Sequence, residues 1–477
     1  WVNITMRALL INPPRFNELC ANNPKIVEEE RGINPPLGLL YIAAYLEKET
    51  SHEVEIIDAQ VEGYTYEELA VALKRTTASV FGITVMTLTL IDVMKTVALI
   101  KSIHKDSIIV LGGPHVHLYP DQTIKLEGVD YLVLGEGERS FAHLLDALES
   151  NGDLTDITGL VFRQNGKIIH TGVPALISGL DALPFPARHL TPYRRYRSLL
   201  SKGEIVTTLF TSRGCPYRCR FCDRPHLGKV FRTRSPHNVV DEIEECIKLG
   251  IHEFLFYDDT FTVSIKRAKE ISREIIRRKL DITFDIRTRV NTIDEELLDL
   301  LKRAGCAGIH YGVEAGNDRM LEVLQKDISV KQARLAFAVT KRKKIQTLAY
   351  FMIGSPSETL QDIHDTFRLQ KELDPDYLHM TILTPFPGTN IYADALKQGI
   401  IKKDVWAEFA ASPTAYFETP FWGEHFTKKE LQQLLTEGYK RFYLRPTYIT
   451  KRLFQIRSLH ELFKKARAGL KVVKMKA

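Results

Sequence analysis

The sequence has no long uncharged hydrophobic run, and it contains only six cysteines and three tryptophans among 477 residues. A helix that spans a membrane needs about 20 predominantly apolar residues, so no such helix is predicted. The segment Trp1–Met6 lacks the basic and apolar regions of a signal peptide, and we therefore expect a cytoplasmic protein. A composition of 44% hydrophobic and 26% charged residues excludes general disorder. The length predicts roughly two to four domains.

Positive charge is concentrated at one end of the chain. Residues 428–477 contain 14 Lys and Arg against three Glu, which is +11, so the rest of the +6 chain carries −5. We expect the cations to form a solvated helix face and much of the interleaved apolar set to pack on the protein. Basic, aromatic helices also suit an anionic membrane surface, which suggests peripheral contact at the inner membrane surface and a lipid-like substrate. The apolar set is Tyr439, Phe442, Tyr443, Leu444, Tyr448, Ile449, Leu453, Phe454 and Ile456.

Residues 1–150 alternate short apolar runs with helical stretches, which is the pattern of successive βαβ units in a parallel sheet. Five strands in this pattern indicate a flavodoxin-like doubly wound domain, whose ligand lies beyond the carboxyl ends of the strands. The predicted strands are 7–12, 54–58, 80–84, 108–112 and 131–134, and the predicted helices are 37–49, 65–76, 90–104, 119–126 and 137–148.

Small and proline-rich segments stand at those carboxyl ends: Asn12–Pro14, Thr84–Thr87, Gly112–His115 and Gly135–Glu138. Any one of them could be only a tight turn. Four at the same edge of one sheet favour a site where a flat ligand approaches the backbone.

A second alternating series follows a connector at 151–203, in which a hairpin is expected at 159–162 and 166–170. Six βα repeats within 204–400 predict an incomplete barrel, whose active site opens at the C-terminal ends of its strands. Residues 401–477 are expected to be a helical, basic region. The predicted barrel strands are 205–212, 253–257, 282–287, 307–312, 346–352 and 377–383.

Half of the cysteines lie in one loop directly after the first barrel strand. Cys215, Cys219 and Cys222 form a Cys-x3-Cys-x2-Cys pattern. Three thiolates so close together can bind three irons of a four-iron four-sulfur cluster and leave the fourth iron open for a substrate or cosubstrate. A structural zinc site is the rival, but it needs a fourth ligand, for which His226 is the near candidate. The spacing favours the cluster.

This pattern, with Phe221 just before the third cysteine, resembles the motif of the radical S-adenosylmethionine superfamily. The resemblance implies that Cys215, Cys219 and Cys222 hold the cluster and that the amino and carboxylate groups of S-adenosylmethionine chelate the open iron. One-electron reduction would then cleave the sulfonium to methionine and a 5′-deoxyadenosyl radical. Phe221 would pack near the adenine.

Further matches to the superfamily follow at the ends of the later barrel strands. By resemblance, Asp258 and Asp259 would meet the methionine amino group, and Arg287, with Arg289 beside it, the methionine carboxylate. Capping of the next helix is the alternative for Asp259. Glu314 would accept ribose hydroxyls. The segments around Gly354 and Pro385 would present backbone to the adenine edge.

The whole chain resembles the cobalamin-binding subclass of that superfamily, which combines a sheet domain, a radical barrel and a helical C-terminal region. No Asp-x-His-x-x-Gly occurs, so cobalamin is expected base-off without a histidine ligand; His115 is expected to be satisfied by local hydrogen bonds instead. The residues expected to line the cobalamin site are Asn12, Pro13, Leu37, Gly38, Met86, Thr87, Gly112, Gly113, Pro114, His115, Gly135, Glu136 and Gly137.

The resemblance implies an enzyme that functionalises an unactivated carbon by radical chemistry, and C-methylation of a hydrophobic or natural-product-like small molecule is the leading hypothesis. Radical cyclisation, ring contraction or carbon–carbon coupling without methyl transfer is the alternative. An electron donor such as a flavodoxin or ferredoxin is an implied partner. A nucleic-acid binding or modifying protein is the hypothesis from another class. It is disfavoured because the domains before the basic segment are net acidic and no nucleic-acid module is visible.

Overall fold

The computed structural model describes residues 5–23, 32–198, 205–223 and 226–454, with residues 469, 473 and 475. The strands are β1 (Arg7–Asn12), β2 (Glu53–Asp58), β3 (Val80–Thr84), β4 (Ile108–Gly112), β5 (Tyr131–Val133), β6 (Leu160–Gln164), β7 (Lys167–His170), β8 (Val206–Leu209), β9 (Ser212–Arg213), β10 (Arg232–Thr233), β11 (Glu253–Phe256), β12 (Thr283–Thr288), β13 (Cys306–Glu314), β14 (Gln346–Ile353) and β15 (Tyr377–Ile382).

The helices that the structure describes alternate with these strands and then dominate the C-terminal region. They are α1 (Leu37–Glu49), α2 (Ala59–Glu62), α3 (Tyr66–Leu73), α4 (Leu90–Ile103), α5 (Pro114–Leu118), α6 (Pro120–Thr123), α7 (Gly137–Ser150), α8 (Pro236–Lys248), α9 (Ile265–Arg277), α10 (Glu295–Arg303), α11 (Asp318–Val323), α12 (Val330–Arg342), α13 (Leu360–Leu373), α14 (Asn390–Lys397), α15 (Val405–Ala411), α16 (Lys428–Tyr443) and α17 (Pro446–Leu453).

The first sheet has the strand order β2-β1-β3-β4-β5-β6-β7. Strands β1 to β5 are parallel, and this order confirms the flavodoxin-like domain. Strands β6 and β7 extend the sheet as an antiparallel hairpin. The hairpin that the sequence placed in the connector therefore belongs to the sheet, which reaches His170 rather than ending near residue 150.

The second sheet contains six parallel strands in the order β8-β11-β12-β13-β14-β15. Neighbours in sequence are neighbours in the sheet, which confirms the partial barrel. Helices α8, α9, α10 and α13 each begin at a Ser, Asp or Thr whose side chain accepts a hydrogen bond from a first-turn N–H. One hydrophobic cluster runs from Phe81 of the first sheet to Phe256 and Ile309 of the barrel, so the two domains share a core.

Tyrosines of α16 cover the exposed edge of the barrel sheet at β15. The hydroxyl of Tyr439 donates to the Met380 carbonyl at 3.0 Å and accepts from the Met380 N–H at 2.9 Å. Tyr443 makes the same pair of bonds, both 2.9 Å, with Leu378. Four residues of helix advance about 6 Å and two residues of strand about 6.6 Å, so the two spacings match. The helix thus satisfies backbone groups that an edge strand would otherwise leave unpaired.

Much of the basic, aromatic segment is therefore engaged with the barrel. Arg445 and Lys451 each pair with Asp374 at 3.2 Å, and Arg452 pairs with Asp376 at 3.4 Å. Leu444, Ile449, Leu453 and Phe454 remain exposed, and Ile456 lies outside the described residues. Among the described residues, no helix is long and apolar enough to cross a membrane.

Candidate functional site

The three-cysteine loop leaves the barrel sheet through β9 and returns through β10. These two short strands pair antiparallel, so they close the base of the loop. Gly214 directly follows β9 with φ +81°, and a Cβ there would lie 2.3 Å from the Val230 carbonyl oxygen. Only glycine fits at this point. Farther along, Arg220 binds Asp394 at 2.6 Å, which ties the loop to α14.

The geometry of the cysteines suits a cluster better than a single metal ion. Cys215, Cys219 and Cys222 are each partly exposed at the carboxyl end of the barrel. Their sulfurs do not all lie within 4.8 Å of one another, and no set among the described residues joins them with His226 at that distance. Four sulfurs around one zinc at about 2.3 Å would be under 4 Å apart. A cluster of several irons accepts the wider spacing. Arg289 donates a hydrogen bond to the Cys219 sulfur at 3.5 Å.

Asp258 supports the base of this loop from within the protein. It is fully buried, and its carboxylate accepts bonds from the side-chain hydroxyls and backbone N–H groups of Thr211 and Ser212. Burial raises the pKa of Asp258, although Arg267 acts in the opposite direction. The Asp258 carboxylate is thus engaged inside the protein, and its expected contact with the methionine amino group stays a prediction. Asp259, which is only partly buried, is the more accessible of the two candidates for that contact.

Arg287 in β12 and Arg289 just after it have different environments. Arg287 is partly exposed, and its guanidinium lies 4.0 Å from the ring centre of Tyr257. The Tyr257 hydroxyl accepts a bond from the Asn34 amide at 2.8 Å, while the Asn34 carbonyl oxygen is buried with no hydrogen-bond partner in the described structure. Arg289 is buried, and it donates to the Lys326 carbonyl as well as to the cluster loop. Arg287 thus stays a candidate for ligand binding, whereas Arg289 supports the loop.

Glu314 ends β13 in a strained backbone conformation. Its φ is +74°, which a residue with a side chain adopts only where its surroundings enforce it. Lys326 donates to Glu314 Oε1 at 2.7 Å, and both side chains are buried. The same Lys326 ammonium lies 5.6 Å from the centre of the Phe221 ring. The strand end and the cluster loop therefore meet at this ion pair.

The loop after β14 is organised by a residue that sequence reasoning missed. Glu358 accepts hydrogen bonds from the N–H groups of Gly354 at 2.5 Å and Ser355 at 2.9 Å through one oxygen. Its other oxygen is buried and has no partner among the described residues. Burial raises the pKa of Glu358 to about 7. The Pro385 carbonyl, which was expected near adenine, accepts a bond from the Trp406 indole at 2.9 Å.

The loop after β1 is held from inside the sheet domain. The Asn12 amide donates to Asp58 at 2.7 Å, and Gln60 donates to the Asn12 and Pro13 oxygens at 3.2 and 3.1 Å. Tyr196 of the connector donates to the other Asp58 oxygen at 2.8 Å. Asn12 is buried in this network, so its side chain shapes the loop and is not presented to a ligand.

The remaining loops at this edge combine a tight glycine turn with exposed positions. Gly113 has φ +115°, and a Cβ there would lie 2.8 Å from the Val85 carbonyl oxygen. A residue with a side chain therefore does not fit at this position. Met86 is 52% exposed, and nothing lies within 4 Å of a Cβ at Gly38.

His115 lies in the same turn as Gly113 and is completely buried. Thr87 Oγ1 lies 3.0 Å from His115 Nδ1, whereas Nε2 has no partner among the described residues. Burial lowers the pKa of His115 to about 4, so the ring is neutral near pH 7. The expectation of local hydrogen bonding is met at one of the two ring nitrogens. Gly112 and Pro114 flank Gly113 in the same turn, and Leu37 is buried at the start of α1.

Comparison with known proteins identifies both halves of this arrangement. Residues 209–369 match the radical SAM superfamily, and residues 25–145 match the B12 binding domain. The "uncharacterized methyltransferase PH0819" of Pyrococcus horikoshii is 34% identical over 94% of this chain and 95% of its own length. This chain belongs to the cobalamin-binding branch of the radical S-adenosylmethionine superfamily. It is an enzyme, and its cofactors are a [4Fe–4S] cluster, S-adenosylmethionine and cobalamin.

Two further comparisons agree with the assignment to this radical S-adenosylmethionine superfamily. The anaerobic magnesium-protoporphyrin IX monomethyl ester cyclase of Rubrivivax gelatinosus is 27% identical over 82% of this chain and 70% of its own. The solved structure of the cobalamin-dependent S-adenosylmethionine radical enzyme OxsB superposes with a TM-score of 0.74. It is 17% identical and covers 97% of this chain and 70% of its own, so it shows a shared fold.

The side chain of Glu136, one of the residues expected to line the cobalamin site of this radical enzyme, binds two arginines of the barrel domain. Glu136, in the loop after β5, accepts from Arg213 at 2.7 Å and from Arg232 at 2.6 Å. Burial by itself raises the pKa of Glu136, but the two guanidiniums outweigh it and hold that pKa below its usual value. The Glu136 carboxylate is thus engaged with two barrel arginines, and its expected contact with cobalamin stays a prediction. Gly135 precedes it in the loop, and Gly137 follows it as the first residue of α7. Sequence reasoning missed Arg213, although it lies two residues before the first cluster cysteine.

The interior of the radical barrel is polar. Tyr311 points outward, because its ring packs 5.0 Å from Phe337 of α12, so its even-numbered neighbours on β13 point inward. His310 is one of these, and its two ring nitrogens lie 3.5 Å from an Asp285 oxygen and 3.4 Å from the Tyr350 hydroxyl. Burial raises the pKa of Tyr350. His379 of β15 lies edge-on to Tyr350, with ring centres 5.3 Å apart. Of this interior set, Asp285 and His310 were not anticipated from the sequence.

Proposed function

We propose that this enzyme is a C-methyltransferase that acts on an unactivated carbon of a small molecule. The observation that carries the proposal is the placement of the three-cysteine loop beside the sheet that matches the B12 binding domain, together with a full-length relative named a methyltransferase. When bound, the cluster and S-adenosylmethionine supply a radical that removes hydrogen from carbon, and cobalamin supplies the methyl group.

The protein's own residues then hold and orient these groups. Cys215, Cys219 and Cys222 bind the cluster, and Arg289 donates a hydrogen bond to the Cys219 sulfur. Asp259 and Arg287 take the amino and carboxylate groups of methionine by charge-assisted hydrogen bonds. Glu314 uses the oxygen that Lys326 does not bind to accept ribose hydroxyls.

Adenine and cobalamin meet backbone rather than charged side chains. Gly354, whose loop Glu358 fixes, presents backbone to adenine, with Phe221 packed beside the ring. The turn at Gly112–His115 and the segment around Gly38 and Met86 accept the corrin, where bare backbone lets a flat ring approach.

The barrel interior supports a substrate that carries hydrogen-bonding groups. Asp285, His310, Tyr350 and His379 face this interior, and a purely apolar molecule beside them would leave their remaining polar atoms without hydrogen bonds. The wholly lipid-like substrate suggested by the basic segment is therefore not favoured, and a polar or amphipathic natural product is.

An acidic redox protein such as a flavodoxin or ferredoxin is the electron donor that we propose. Arg218 of the cluster loop and Lys229 close to its end are both exposed. Cations next to the cysteines attract an acidic partner to the place where the electron must enter.

The decisive test uses mass spectrometry of a cell extract incubated with reduced, cofactor-loaded enzyme and S-adenosylmethionine that carries a trideuterated methyl group. A compound that gains one CD3 in place of hydrogen supports methylation. A compound that only loses hydrogens would instead support cyclisation, the reaction named for the Rubrivivax relative. The Cys219→Ala enzyme is the matched control, and labelled products that persist with it would contradict the proposal.

A further inference from the structure

We propose that Glu136 and Glu138 are positioning residues that fix the cluster loop of this enzyme against its cobalamin-binding sheet. This inference rests on the family assignment and not on the proposed methylation. Glu136 lies in the loop that follows β5 and Glu138 in the first turn of α7, at the sheet edge where the glycine turns also lie.

The contacts are short, numerous and buried. Arg213 donates through one nitrogen to Glu136 at 2.7 Å and through the other to Glu138 at 2.6 Å. Arg232 donates to the second Glu136 oxygen at 2.6 Å. That same oxygen accepts the Ile177 N–H at 2.7 Å. All four charged side chains are at most 8% exposed, so solvent screens these bonds little.

The two arginines occupy the base of the cluster loop. Arg213 lies directly opposite Arg232 in the β9–β10 ladder, and Gly214 and Cys215 follow Arg213 at once. Two guanidiniums side by side repel each other, and the Glu136 carboxylate between them removes that repulsion. The Arg213 guanidinium also lies 4.9 Å from the ring centre of Tyr41 in α1. The loop base is therefore attached to two elements of the sheet domain.

This attachment has a consequence for chemistry that uses both cofactors. The cluster loop comes from the barrel, whereas the corrin-binding turns come from the sheet domain. The distance between the cluster loop and the corrin-binding turns depends on contacts between the two domains. Buried ion pairs in which one guanidinium uses two nitrogens define distance and angle more sharply than apolar packing does. Glu136→Gln removes the negative charge of this carboxylate and leaves the Arg232 guanidinium buried without its anion. The base of the cluster loop must then shift so that water or another carboxylate can reach this guanidinium.

A magnetic measurement tests this directly. In enzyme loaded with cob(II)alamin and a reduced cluster, the cluster accelerates the electron spin relaxation of the cobalt signal, and the effect falls steeply with distance. Power saturation of that signal, compared between reduced and oxidised cluster, reports the separation. Glu136→Gln is expected to keep iron and cobalamin contents near wild type but to lose most of the enhancement, and Glu136→Asp to recover part of it.

The matched control is Glu47→Gln. Glu47 also joins the sheet domain to the connector, through an exposed contact with His189 at 2.9 Å, and its loss should leave the enhancement unchanged. An unchanged enhancement in Glu136→Gln would overturn the proposal. If that variant loses iron, Glu138→Gln, which leaves Glu136 in place, decides the matter: a partial loss supports the positioning role, and wild-type enhancement refutes it.

Discussion

Replacement of Glu358 by Gln should change how the stability of this enzyme depends on pH. Glu358 holds the Gly354 and Ser355 N–H groups through one oxygen, and its other oxygen is buried without a partner in the described structure. A glutamine has the shape of the protonated acid and keeps an acceptor oxygen for the two N–H groups. It carries no charge at any pH.

The sign and size follow from the pKa of the carboxyl. Burial raises the pKa of Glu358 from 4.5 to about 7, so between these values the folded protein holds a proton that the unfolded chain releases. The free energy of unfolding of wild type therefore falls as pH rises from about 4.5 to about 7. Above about pH 7, Glu358 causes no further change in it. The shift of 2.5 pKa units corresponds to about 3 kcal/mol at pH 8.

Urea unfolding of both proteins at pH 5, 6, 7 and 8 measures this effect. The free energy of unfolding of Glu358→Gln minus that of wild type should grow by about 2.5 kcal/mol from pH 5 to pH 8. Glu418→Gln serves as the control, because the Glu418 side chain is 86% exposed. A difference between Glu358→Gln and wild type that stays constant across this range would refute the reasoning.

Three further changes test other parts of the structure. Gly214→Ala should lower the iron content of reconstituted enzyme, because the new Cβ would lie 2.3 Å from the Val230 oxygen. Tyr439→Phe should speed hydrogen exchange of the Met380 amide by roughly tenfold or more, since two buried backbone groups each lose a bond worth about 1 kcal/mol. Cys219→Ala should abolish reductive cleavage of S-adenosylmethionine, measured as 5′-deoxyadenosine.

Each of these variants has a matched control. Gly166→Ala places a methyl group in open space at another positive φ and should keep the iron. Tyr416 is 94% exposed, so Tyr416→Phe should leave exchange at the β15 edge unchanged. Cys20→Ala removes a cysteine outside the cluster loop and should retain cleavage. Equal effects in variant and control would contradict the structural explanation in each case.

Local sequence pattern was enough to predict the two sheets and the cluster loop. Strand β1 was predicted at its observed bounds, as was helix α1, because a continuous apolar run and an apolar helix stripe are each written in consecutive positions. The cysteine loop is likewise local, since Cys215 and Cys222 are only seven residues apart. The family, the fold class and the cofactors that this pattern implied are confirmed.

Residue roles that depend on distant partners could not be read in the same way. Asp258 was expected to face the ligand, but its partners Thr211 and Ser212 lie 46 to 47 residues away and bring it inside. Glu136 was expected at cobalamin, yet it pairs with Arg213, 77 residues away. A strand-end carboxylate looks the same in sequence whether it meets solvent, a ligand or a buried arginine.

The sequence by itself therefore determined which elements form, in which order they follow one another, and which loop carries the three-cysteine motif. Tertiary structure alone decided which charges neutralise one another. A strand needs only its own periodicity to be recognised, whereas an ion pair such as Glu136 with Arg213 exists only once two domains have folded and docked. Buried charges need partners wherever the fold supplies them, and no local pattern specifies that place.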